Sequence, residues 1–75
     1  MPAITTAQIQ ALRTSAAEAG DMAMVATCEV ALHGVDVDRS RAAATGDEWI
    51  AAIELGKRGA RARCAEVIAD AKAME

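Results

Sequence analysis

The side chains in this 75-residue sequence that could do chemistry are two thiols, one imidazole, a short run of bases and scattered carboxylates. Cys28 and Cys64 lie far apart in the chain, and neither sits in a Cys-x-x-Cys pair. The spacing therefore spells no dithiol redox motif and no zinc half-site. Both cysteines fall on apolar stripes, where cysteine packs as a small hydrophobe, and both are expected to be thiols. His33 is the only histidine. A nucleophile-and-base pair would need a thiol beside it, and Cys28, five residues earlier, lies off its helical face. Its place at a helix C-terminus points to a structural role. The carboxylates recur about once per turn, with no pair set apart from the solvent faces. The expectation is a protein that is not an enzyme and needs neither cofactor nor metal.

The basic run is the more suggestive stretch. Gly56-Lys57-Arg58-Gly59 resembles the Gly-x-x-Gly loop with which KH domains clamp RNA. That fold needs a three-stranded sheet, and no credible strand is present. Ala52 and Gly56 are spaced like the fifth and ninth positions of a helix-turn-helix. Lys57 and Ala62 then stand where that motif needs apolar residues.

Charge is distributed unevenly along the chain. Residues 1–38 carry one base and five acids, residues 39–63 six bases and three acids, and residues 64–75 one base and three acids. The chain is net acidic at −3, with a basic centre. Such a centre can meet phosphate or an acidic protein surface. Trp49 is the only aromatic residue, so stacking on bases is poorly served. Lys57, Arg58, Arg61 and Arg63 are expected to be largely exposed, with Arg58 within reach of Glu54 if the helix continues between them.

Helices must position these residues. Thr5 and Gln8 form a capping box, with Ile4 and Ile9 placed as a hydrophobic staple. Ile9, Leu12, Ala16 and Ala19 recur at helical spacing up to Gly20, which predicts a helix over 6–19. Asp21 is a good N-cap for a second helix over 22–33, striped by Val25, Cys28 and Leu32. Val35 and Val37 read as loop residues tucked inward. Asp38 can cap a short helix over 39–45 that Gly46 would end. Asp47 caps again ahead of Trp49, Ile50 and Ile53. Gly56 and Gly59 interrupt the pattern, because each costs roughly 1 kcal/mol against alanine inside a helix. Cys64, Val67, Ile68, Ala71 and Met74 then stripe a last helix over 60–74, with one long bent helix over 48–74 as the alternative.

The fold class that follows is all-α, a compact bundle of three to five short helices in a single domain over 1–75. The core expected for it is Ile9, Leu12, Val25, Cys28, Leu32, Trp49, Ile53, Val67 and Ile68. That core is thin. Of the residues counted as hydrophobic, twenty are alanine and only eighteen are Val, Ile, Leu, Met or Trp. Burial contributes ~25 cal/mol per Å², so association with a partner or a second copy would supplement it. Met22, Ala26 and Val30 form a second apolar strip on the second helix. It is available to a second chain unless that helix is buried on two sides. No stretch reaches the ~20 apolar residues of a membrane span, and the first residues lack the pattern of a secretory signal. The expectation is a cytoplasmic protein.

Over residues 4–34, with Ala-Glu-Ala-Gly-Asp-Met-Ala-Met-Val-Ala-Thr-Cys, and again over Arg61 to Met74, the chain resembles short Ala-rich helical proteins of unknown function from phages and high-GC bacteria. The resemblance carries no activity and implies a phage or mobile-element accessory. The function expected is protein–protein interaction, with a homo-oligomer as one form of it. Lys57, Arg58, Arg61, Arg63, Met22, Ala26 and Val30 are the candidate contacts. A nucleic-acid-binding accessory using the hinge at 57–63, with Arg39 and Arg41, is the second reading. A phage-encoded inhibitor of a host defence or regulatory protein is a special case of the first.

Overall fold

Thr5 starts the first helix by the chemistry its sequence offers. Its hydroxyl accepts the Gln8 N–H at 3.1 Å, and the Gln8 side chain accepts the Thr5 N–H at 2.8 Å. Helix α1 runs Thr6–Ala19. It stops at Gly20, whose φ of 75° is the left-handed region open to glycine. The Asp21 N–H returns to the Ala16 carbonyl at 2.8 Å and the Gly20 N–H to Ala17 at 3.2 Å, which is the Schellman pattern. Two residues turn the chain. Asp21 caps α2, Met22–His33, by accepting the Met24 N–H at 3.2 Å.

The computed structural model describes residues 4–34 and 46–74. The loop valines and the short helix expected over 39–45 lie outside the described residues, as do Arg39 and Arg41. Among the described residues every regular element is helical, so the protein is all-α. The third helix, α3, spans Gly46–Ala73 and bends at Gly56, where the backbone leaves helical geometry at φ 65°, ψ 174°. Its first arm is 46–55 and its second is 57–73. The start lies one residue ahead of Asp47, within the spread by which helix ends are defined. Of the two glycines expected to interrupt the pattern, one does so. Gly59 is inside the second arm with no positive φ, because a single residue turns the corner.

Helix α2 lies between the other two. It packs on both α1 and α3, which scarcely meet each other. Every residue from Met24 to Ala31 is buried, polar Thr27 and Glu29 included. The Thr27 hydroxyl satisfies itself by donating to the Ala23 carbonyl at 2.9 Å. Among the described residues, five of the twelve buried apolar residues are alanines, at 16, 26, 31, 52 and 60. Alanine fills little volume, yet it lets helix backbones approach closely enough to exclude water. The radius of gyration, 11.4 Å, matches the ~11 Å expected of a packed chain this long.

The expected core is partly corrected. Ile9, Val25, Cys28 and Trp49 are buried, and Leu12, Leu32 and Val67 pack half-buried against them. Ile68 is also half-buried. Ile53 is not a core residue: Trp49 and Ala52 make the buried seam of the first arm, and Ile53 stands at its edge, 39% exposed. No helix among the described residues is long and apolar enough to cross a membrane.

The two glycines of α3 should respond oppositely to alanine. At Gly56 an L side chain must adopt a region almost confined to glycine, so Gly56→Ala should cost on the order of 1–3 kcal/mol. At Gly59 the new Cβ would meet only the Leu55 side chain, at 3.4 Å from its Cβ and 3.7 Å from its Cδ2, which is ordinary contact. Gly59→Ala should therefore gain up to about 1 kcal/mol of helix propensity. Urea midpoints of the two variants check the pair, and equal shifts would contradict the bend.

Candidate functional site

The bend at Gly56 decides where the bases go. Lys57, Arg58 and Arg63 are exposed, and Arg61 is half-buried. Arg63 pairs with Glu66 at 3.3 Å across one turn of exposed surface, a contact worth well under ~1 kcal/mol. The Glu54–Arg58 pair does not form among the described contacts, because Gly56 interrupts the helical register that would align them. Lys57 sits across from the end of α2. Its Cδ lies 4.0 Å from where a Cβ on Gly34 would stand, near the partial negative charge of the helix end.

Next to these bases the first arm of α3 exposes large apolar side chains. Ile50 is 55% exposed, Ile53 39% and Leu55 44%. At 100° per residue, Ile50 and Ile53 stand one turn apart on one shoulder of the buried Trp49–Ala52 seam. Leu55 lies on the other shoulder. The corner thus combines apolar surface with Lys57 and Arg58 in a few residues. Sequence periodicity placed Ile53 on the core face and missed this surface. The signal was present in the arm's breadth: Trp49, Ile50, Ile53 and Leu55 cover more of a helix than one seam can bury.

The second helix offers no such surface. Ala26 and Val30 are fully buried within the chain and Met22 is half-buried, so the strip expected to meet another chain is interior. The reason is the central position of α2, which is covered on two sides.

Inside the fold, two polar clusters form that the sequence keeps apart. Glu29, 6% exposed, pairs with Arg13 of α1, and His33 Nε2 approaches its other oxygen at 3.6 Å. A carboxylate at that depth needs its cation, since an unpaired buried charge costs several kcal/mol. His33 thus serves the carboxylate and not a thiol. Beside this cluster the thiols of Cys28 and Cys64 meet, sulfur to sulfur at 3.7 Å, both fully buried. The Cys28 thiol is pushed far up by its hydrogen bond to Cys64, by burial and by the charge on Cys64. The Cys64 thiol is pulled below its ordinary range by that same hydrogen bond, with Arg61 and Arg63 adding to the effect against burial. The two sulfurs share one hydrogen bond, and Arg61 and Arg63 favour negative charge on the Cys64 side of it.

An open apolar groove of about 280 Å³ separates α1 from the second arm of α3, lined by Leu12, Val67, Ile68 and Ala71 among others. It exists because both helices lean on α2 and scarcely on each other. No cluster of metal-ligating side chains occurs among the described residues. No protein-family model, curated protein or solved structure matches the chain.

Removing one partner of the buried ion pair should cost more than removing its charge requirement altogether. Arg13→Ala strands the Glu29 carboxylate and should lower stability by about 1–3 kcal/mol. Adding Glu29→Gln to that variant should recover part of the loss, because an amide tolerates the site without a cation. Chemical denaturation of the two single mutants and the double mutant tests this. Strict additivity would show that the pair is not coupled.

Proposed function

We propose that this protein acts without catalysis, by binding another protein through the first arm of α3 and the corner after it, where Ile50 and Ile53 form one exposed apolar shoulder and Leu55, on the other, leads into Lys57 and Arg58. The observation that carries this reading is the exposure of those three apolar side chains on one ten-residue arm beside exposed bases. Apolar area supplies affinity, and charge supplies steering and register. A partner with an acidic rim around an apolar centre is the match. A second copy of the chain, at net charge −3, offers carboxylates to those bases, so a homo-oligomer belongs to this reading. The depth of the two thiols and the engagement of His33 with Glu29 also favour a non-enzymatic role.

Within the same proposal, the Ala-rich resemblance favours a phage or mobile-element accessory. An inhibitor of a host defence or regulatory protein is the narrower form. The exposed Lys57, Arg58 and Arg63 also keep a nucleic-acid partner in view, with Trp49 buried and lost to stacking.

Ile50→Ser/Ile53→Ser should cost no more than about 1–2 kcal/mol per site, since Ile50 is 55% and Ile53 39% exposed, and the fold should survive it. The same variant should abolish self-association in sedimentation at micromolar concentration and crosslinking to a partner in the native host. Lys57→Ala/Arg58→Ala should slow association more than it speeds dissociation. Retention that nuclease treatment removes, with affinity falling steeply with salt, would replace the protein partner by nucleic acid. Unchanged association in both variants would overturn the corner as the docking surface.

A further inference from the structure

We propose that Cys28 and Cys64 form a peroxide-sensitive dithiol, which oxidation closes into an intramolecular disulfide stapling α2 to the second arm of α3. The two sulfurs are already in contact at 3.7 Å, and reaching a bond of ~2.05 Å means closing about 1.7 Å. They come from different helices, and the chain between them includes the first arm with Ile50 and Ile53. Both are free thiols with no exposed surface.

The pair is built asymmetrically. Arg61 and Arg63 precede Cys64 on its own helix and favour its thiolate, and the Cys28 sulfur lies in contact with it at 3.7 Å. The attacking group and the resolving group are thus assigned by position. The Cys64 thiolate attacks one oxygen of a peroxide, the O–O bond breaks, and the departing hydroxide takes a proton to leave as water. Cys64 is then a sulfenic acid. The Cys28 sulfur attacks the Cys64 sulfur, the S–S bond forms and the S–O bond breaks. The proton from Cys28 leaves with that oxygen as a second water. The dithiol is oxidised by two electrons and the peroxide is reduced by two. Burial makes the site selective for size: neither sulfur is exposed, so a bulky disulfide such as oxidised glutathione has none to meet, and oxidation requires an oxidant as small as hydrogen peroxide to enter the fold.

A disulfide closing a segment this long stabilises mainly by restricting the unfolded chain. The unfolding midpoint of the oxidised protein should rise on the order of 10 °C. The first arm of α3, which lies inside the closed segment, is held in place with it.

The test treats the native full-length chain with hydrogen peroxide or with oxidised glutathione, then reads intact mass, peptide linkage and thermal midpoint. The expected result with peroxide is a mass loss of two hydrogens, a Cys28–Cys64 linked peptide and the higher midpoint, all reversed by a thiol reductant. Glutathione disulfide should leave the folded chain unmodified over the same time and oxidise it once unfolded. Cys28→Ala, checked by circular dichroism for folding, should lose the linkage and accumulate oxygen on Cys64. A glutathionyl adduct on the folded chain, an intermolecular disulfide, or oxygen added to wild-type cysteines without a linkage would overturn the proposal. So would thiols that survive peroxide when folded yet pair when unfolded.

Discussion

The burial of α2 on two sides is the constraint to which everything else in this fold answers. A helix with eight consecutive buried residues has no solvent face on which to keep a charge. It nevertheless carries Glu29 in the middle of that run. The fold resolves the conflict by bringing Arg13 from α1 onto the carboxylate and His33 from one turn further along. Arg13 stays partly exposed, at 39% of its side chain, and reaches the carboxylate with its Nε from the edge of the core. That pairing also gives α1 a fixed register on α2, since the cation must sit at the depth of its partner.

Small residues decide how closely the other helices can approach. Ala16, Ala26, Ala31, Ala52 and Ala60 are all buried, and they stand where larger side chains would hold backbones apart. The same closeness brings Cys28 and Cys64 into contact. It also leaves a gap: α1 and the second arm of α3 are spent on α2 and leave an open apolar groove between themselves. A chain poor in large apolar residues can cover one central helix well, and it then has little left to join the outer two.

The bend at Gly56 is what turns a simple helical layer into a molecule with a distinctive surface. A straight α3 would run its whole length along one line and would carry a continuous stripe. With the break, the first arm buries only Trp49 and Ala52 and shows its remaining apolar residues outward, beside bases that no longer find Glu54 in register. Exposed apolar surface and basic corner thus arise from one residue's backbone geometry, and the corner is exposed because the core it flanks is narrow.

Local chemistry was legible from the sequence by itself. The capping box at Thr5 and Gln8, the stop at Gly20 and the cap at Asp21 are short-range hydrogen-bonding arrangements, and they set α1 and α2 to the residue. All-α architecture and a break near Gly56 follow from the same kind of reasoning, because propensity and periodicity act within a few residues. Only the tertiary structure decided which apolar stripes face inward. Met22, Ala26 and Val30 look like spare surface until α2 is found at the centre, while Ile53 looks like core until the seam is found at Trp49 and Ala52. The pairing of Arg13 with Glu29, and of Cys28 with Cys64, joins residues on different helices. Such contacts depend on how helices cross, which no local pattern encodes.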